Sequence, residues 1–258
     1  MSVTHAPPPP VADAPARAAA QQTIWRLAAA AFGHPTPELH QAFASGSFHD
    51  AFSTAWRAVT GRDWPRPEDA VIADFATLEA GYICAFLHGQ GGKPVAPLLA
   101  GDYEPLLAGH SRPVFMLNIS AFYRHFGLRA ATEDEGRADE PDHLASMLEF
   151  MAVLSHLEAQ TLARSGDATP LRRAQRDFLR RYLEPLLHAL ATRLRTGRLD
   201  VPLDPTLARL VADLHARAEA EAATLEARVG PYYDSDQAVR SGGGPRTQAR
   251  TVDQDLWS

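Results

Sequence analysis

Apolar residues in this chain recur at three- and four-residue steps from Ile24 to Leu225, and no run alternates at period two between hairpin turns. That pattern predicts helices and no sheet. The first predicted helix, Ala16 to Phe32, carries Ile24, Leu27, Ala28 and Ala31 on one stripe with Trp25 beside it, and Gly33-His34-Pro35 stops it. A second, Pro37 to His49, turns Leu39, Phe43 and Phe48 inward, before a Gly- and Pro-marked turn from Gly61 to Pro67. A third runs from Pro67 to His88 through Val71, Ile72, Phe75, Leu78, Tyr82 and Phe86, with Cys84 on its apolar side. The stretch through Pro97, Tyr103, Glu104 and Pro105 has no period and is long enough to cover a groove. A fourth helix, Pro113 to Phe126, sets Phe115, Ile119, Phe122 and Phe126 on one face and ends at Gly127.

The strongest periodic run follows Asp139-Glu140-Pro141-Asp142-His143-Leu144: Leu144, Met147, Leu148, Met151 and Leu154 lie on one face of a helix reaching about Arg164. Pro141 suits a first helical turn, with Asp139 or Glu140 capping ahead of it. Two readings of Asp142 and His143 stay open: they complete the cap, or they present donors and acceptors to a partner. Thr169-Pro170 starts the next helix, and Pro185 predicts a kink near Leu183-Glu184, because proline removes one backbone bond and crowds the preceding turn. Gly197 ends that element. The last helix, Pro205 to Arg228, stops at Gly230-Pro231.

Four consecutive prolines, Pro7 to Pro10, make residues 1–15 a disordered leader, and the polar, glycine-rich residues 230–258 read as a disordered tail. Between them, residues 16–229 form one all-α domain, an irregular helical bundle with loops of unequal length. A net formal charge of −6 removes the basic footprint that nucleic-acid binding requires. The single cysteine, Cys84, allows no internal disulfide. No apolar run approaches the ~20 residues of a membrane span, and residues 1–17 lack the basic-then-apolar order of a secretory signal. The expected location is cytoplasmic.

Chemistry is thin. Eleven histidines are scattered without a His-Glu-x-x-His motif, and the pair of Glu-x-x-His motifs that a bundle di-iron site needs is absent, so no metal is expected. Gly89-Gln90-Gly91-Gly92-Lys93 lacks the first glycine of a phosphate loop, and Pro94 replaces its Ser/Thr. No Gly-x-Ser-x-Gly elbow occurs. The expectation is a binding protein, not an enzyme, with no cofactor of its own. The acidic run Glu133, Asp134, Glu135, Asp139 and Glu140 is either a solvated loop or a lip that attracts a basic peptide.

Glu140-Pro141-Asp142-His143-Leu144, followed by Met147-Leu148-Glu149-Phe150-Met151, resembles the central motif of the TorD/DmsD/NarJ family of molybdoenzyme maturation chaperones. Phe122-Tyr123-Arg124-His125-Phe126-Gly127-Leu128 resembles that family's aromatic segment upstream, and Phe178-Leu179 with Tyr182-Leu183 and Pro185-Leu186 resembles its later helix. The Tyr103-Glu104 loop is similar to members serving type II dimethyl sulfoxide reductase enzymes, the delta-subunit group. The resemblance implies an all-α chaperone that holds an apo molybdoenzyme catalytic subunit, binds its twin-arginine signal peptide, and assists cofactor insertion and assembly before export. It implies peptide-binding roles for Glu140, Pro141, Asp142, His143, Leu144 and Glu149, with Phe122 and Tyr123, and with Leu148 and Met151, lining an apolar groove. The alternative is a helical sensor binding a nucleotide or molybdopterin-type ligand. Monomer and dimer both remain open.

Overall fold

The computed structural model describes residues 13–66, 74–128 and 140–233. Val71, Ile72, Glu133, Asp134, Glu135 and Asp139, with nearly all of the expected leader and tail, lie outside them. Among the described residues every regular element is helical, as expected, and the one β-type contact is an isolated antiparallel bridge between Leu99 and His143.

The centre is a helix pair, α1 (Ala14–Phe32) against α7 (Leu144–Ala163). Ala18, Ala28, Ala29 and Ala31 keep the contact face of α1 shallow, and Leu144, Met147, Leu148, Met151 and Leu154 on α7 are all fully buried. α1 starts two residues ahead of expectation, because the Asp13 side chain accepts from the Ala16 N–H at 2.9 Å and Pro15 sits in the first turn.

The single helix expected over Pro37 to His49 is two, α2 (Pro37–Ser45) and α3 (Ser47–Thr60). Gly46, at φ 77°, adopts the left-handed conformation that ends one helix and turns the chain into the next. Phe48 and Phe52 then stack under Trp64, whose indole N–H reaches Asp213 at 2.7 Å and ties this corner to the C-terminal helix. Asp74 caps α4 (Phe75–Tyr82), so the third helix begins at Phe75, after Asp74, and continues as a wide π-turn over Ile83–Leu87.

A short helix α5 (Glu104–Leu107) and α6 (Arg112–His125) lead toward α7. α8 (Thr169–Phe178), a π-turn over Leu179–Leu183, and α9 (Glu184–Thr196) follow the course expected from Pro185: widening the turn lets the chain pass a residue that has no N–H to donate. α10 (Pro205–Val229) packs along α8 and α9. The buried charges of this half are paired: Glu158 on α7 accepts from Arg172 at 2.6 Å and Gln175 at 2.8 Å. Glu221 on α10 meets both Arg17 and Arg217.

Candidate functional site

Residues 140–144 form a clamp. The Glu140 carbonyl accepts from the His143 N–H at 3.0 Å, closing a turn that Pro141 shapes. The Pro141 carbonyl accepts from the Tyr123 hydroxyl at 2.7 Å. The backbone carbonyl of Asp142 accepts from Ala100 N–H at 3.0 Å, its carboxylate Oδ2 accepts from Gly101 N–H at 2.8 Å, and Leu144 N–H donates to the Leu98 carbonyl at 2.9 Å. The helix opens at Leu144, within a residue of the expected start, but its cap lies later than Asp139 or Glu140. His143, whose Nδ1 accepts from Ala145 N–H at 3.2 Å, is the cap, so Pro141 and Glu140 precede the helix. The clamp's product is the position of the 98–102 loop.

This sorts the expected peptide-binding residues into two groups. Glu140 and Glu149 are exposed, and His143 and Phe122 are half-buried. Pro141, Asp142, Leu144 and Tyr123 are buried, as are Leu148 and Met151. Asp142 is 0% exposed, so its carboxylate belongs to the clamp and not to a solvent-facing lip. The correction has a simple cause, since the Gly101 amide lies 41 residues away and gives that carboxylate a partner no local pattern reveals. Leu144, Leu148 and Met151 are likewise core, the usual fate of a helical apolar stripe. Burial, with the Asp142 and Glu149 carboxylates nearby, holds the Tyr123 phenol well above its ordinary pKa, so it stays a hydrogen-bond donor.

Above the clamp sits a residue that the sequence reading missed. Arg112, at the first turn of α6, directs Nη1 to Asp102 at 3.0 Å and Nη2 to Glu140 at 3.0 Å. Ser111-Arg112-Pro113 announces a helix start and nothing more, and the signal for its role is tertiary.

Two hollows flank this assembly. The smaller, about 480 Å³, lies between α6 and α8, with Phe122, Phe126 and Tyr182 as its floor and His125, Asp177 and Arg181 at its rim. Phe122 is held edge-on to Phe178 and Tyr182 at 5.6 and 5.8 Å. On the same helix Val114 and Leu117 are 41% and 60% exposed, which extends apolar surface beyond the hollow. The larger, about 770 Å³, lies between α5, α9 and α10 and is lined by Tyr103, Leu106, Pro185, His188, Arg193 and His215 among others. The irregular loop expected to cover a groove forms one wall of it. Arg193 lies over the Tyr103 ring at 4.8 Å, and the His188 and His215 rings lie tilted to each other with centroids 5.0 Å apart. Burial pushes the Tyr103 phenol above its ordinary pKa, and its hydroxyl donates to the Pro97 carbonyl at 2.9 Å.

Among the described residues no three His, Cys, Asp or Glu side chains gather as a metal site, and no helix is long and apolar enough to cross a membrane.

Comparison with known proteins matches residues 33–192 to the nitrate reductase delta subunit family. The chain is 54% identical over 250 residues to the dimethyl sulfide dehydrogenase assembly chaperone protein of Rhodovulum sulfidophilum, covering 97% of each chain. It is 34% identical over 167 residues to the selenate reductase assembly chaperone protein of Thauera selenatis, covering 63% of this chain and 83% of that one. It is 31% identical over 171 residues to the perchlorate reductase assembly chaperone protein of Dechloromonas aromatica, covering 64% and 73%. No solved structure matches the chain with significance. The match spans the clamp, the aromatic segment that feeds it and the proline-broken helix, and on these grounds the chain belongs to the nitrate reductase delta subunit family, the TorD- and NarJ-like chaperones its motifs resemble.

Proposed function

We propose that this protein is a cytoplasmic assembly chaperone for the catalytic subunit of a type II dimethyl sulfoxide reductase family molybdoenzyme. It works by binding, without turnover. It holds the apo subunit, grips the twin-arginine leader, and delays export until the cofactor and partner subunits are in place. The extent of the likeness to the dimethyl sulfide dehydrogenase chaperone supports a client of that kind.

The observation that carries the reading is that an apolar hollow and the exposed carboxylate of Glu140 are tied to the same clamp through neighbouring residues. Phe122 lines the hollow, its neighbour Tyr123 hydrogen-bonds Pro141, and Glu140 stands next to Pro141. A leader pairs arginines with an apolar helix, so its receptor needs both surfaces side by side, the helix-in-groove mode with bidentate carboxylate capture. On this reading Glu140, His143, Glu149 and Phe122 meet the leader. Pro141, Asp142, Leu144 and Tyr123 fix where those four stand.

The test is isothermal titration of the full chain with the leader peptide encoded by the neighbouring molybdoenzyme gene, using wild type, Glu140→Gln and Phe122→Ser. Binding should fall in both variants and weaken with salt, because the arginine contribution is screened. Undiminished affinity in both variants, with folding verified by circular dichroism, sinks the assignment of the site. Equal affinity for a scrambled peptide of the same charge reduces it to nonspecific attraction.

The larger hollow favours a second reading, a sensor of a nucleotide or molybdopterin-type ligand, since about 770 Å³ falls in the range of small-molecule sites. Saturable nucleotide binding that His188→Ala abolishes, without any leader binding, would select that reading instead.

A further inference from the structure

Arg112 bridges carboxylates from two separate segments, Asp102 in the 98–102 loop and Glu140 at the clamp, with one Nη on each at 3.0 Å. The pair is not sealed: side-chain exposures are 38% for Arg112, 34% for Asp102 and 47% for Glu140. Solvent and an incoming group reach all three. A third carboxylate stands behind them. A Cβ placed on Gly101 would lie 2.8 Å from Asp142 Oδ2 and 2.9 Å from Arg112 Nε, so both groups border the space that a side chain there would fill. Asp142 is 0% exposed, yet its second oxygen, Oδ1, has no hydrogen-bond partner. Buried carboxylate oxygens normally find a donor, and this one has none.

We propose that Asp102 and Glu140, with Asp142 fixing the loop beneath them, form a guanidinium seat whose resident occupant is the chain's own Arg112, and that an arginine of the partner peptide takes the seat by displacing it. The proposal rests on the leader-binding reading and names the group that the leader must expel.

Three features carry it. The seat is assembled without Arg112: backbone bonds from Asp142 to Ala100 and from Leu144 to Leu98, with Asp142 Oδ2 on Gly101, hold the loop against the clamp. The occupant is held by partly exposed ion pairs, which contribute little and exchange readily. The formal charge is unbalanced as well, because two carboxylates share one resident cation and a net −1 is left over. With Arg112 expelled, two adjacent arginines of a leader match the two freed carboxylates, Asp102 and Glu140.

The geometry also sets specificity. Asp102 and Glu140 are held apart by a planar fork that places one nitrogen on each, which an ammonium group cannot reproduce. A leader with two lysines should therefore fail to expel Arg112, while an arginine leader exchanges like for like. In the free chain Arg112 keeps the seat closed to stray cations.

The experiment is fluorescence-anisotropy titration of a synthetic diarginine leader peptide, and of its dilysine counterpart, against the full chain as wild type, Arg112→Ala and Arg112→Gln. Both variants should bind the diarginine peptide about tenfold more tightly than wild type, a gain that reports the competitor's removal. They should also narrow the preference for arginine over lysine. In wild type, the Arg112 Nε–H resonance should move to the position of a solvent-exposed arginine on saturation with the diarginine peptide. That reading needs no variant and stands even where a substitution unfolds the loop. Wild-type binding with an unmoved Arg112 resonance, or folded variants no tighter than wild type, overturns the exchange and leaves the leader-binding reading standing. Absence of binding in every form, wild type included, overturns both.

Discussion

Asp142→Ala tests whether the carboxylate at the middle of the motif is a clamp. The substitution deletes the acceptor of the Gly101 N–H at 2.8 Å, while the backbone bond from Ala100 to the Asp142 carbonyl survives. A hydrogen bond to a charged group contributes about 1.5–3 kcal/mol, and losing the unpaired Oδ1 returns part of that, so a net cost of about 2 kcal/mol is expected. For a chain of this size that is a fall in Tm of about 4–8 °C. Asp142→Asn keeps an oxygen for Gly101 and should cost about 1 kcal/mol or less. Urea unfolding followed by far-UV circular dichroism gives the energies. Amide hydrogen exchange at Gly101 gives the location, because its protection should be lost selectively in Asp142→Ala. If Asp142→Ala matches wild-type stability and the Gly101 amide stays protected, the clamp is not what the carboxylate is for, and Asp142 returns to the list of residues that meet a partner.

Gly101→Ala should destabilise by about 1–3 kcal/mol, the usual cost of overpacking, because its Cβ would press on Asp142 and Arg112 below 3.0 Å; chemical denaturation checks it. Glu158→Ala takes the acceptor from buried Gln175 and from partly buried Arg172 and should cost about 3 kcal/mol, with Glu158→Gln milder, by the same assay. Leu117→Glu, at a 60% exposed position, should leave stability within about 0.5 kcal/mol and lower leader affinity if the exposed face of α6 extends the groove; pairing thermal melts with titration reads both. The carboxyl of Glu226 is held below its ordinary 4.5 first by the hydrogen bond from Arg180. A depressed folded-state pKa means that this stabilisation is present above about pH 4.5 and lost as pH falls through the folded value, and at a partly exposed pair it amounts to about 0.5–1 kcal/mol. Glu226→Gln should flatten the acid limb of a stability–pH curve by that amount.

What the sequence made legible was local. The stripe from Leu144 to Leu154 placed α7 in the core, and Gly197 and Gly230 ended α9 and α10 at the expected places. Pro185 forecast the break, though not that a π-turn would absorb it. The split at Gly46 was missed because Phe43 and Phe48 keep an apolar pattern across it, and those rings do pack together, at 4.9 Å. The same limit governed the site. A run of ionisable residues before a helix reads as solvent-facing, but Asp142 is buried because of an amide 41 residues away, and Glu140 is engaged because of an arginine 28 residues away. Contacts at such separation leave no periodic trace, so the family motif could locate the site without saying which of its side chains face outward.

The most direct measurement of the account is the binding of the purified chain to its client catalytic subunit in two forms: apo with the leader attached, and mature with the cofactor loaded and the leader removed. Size-exclusion chromatography with light scattering, followed by titration, should give a stable complex with the apo form and none with the mature form. Equal binding to both forms, or binding to neither, would contradict a chaperone that holds its client only until assembly is complete.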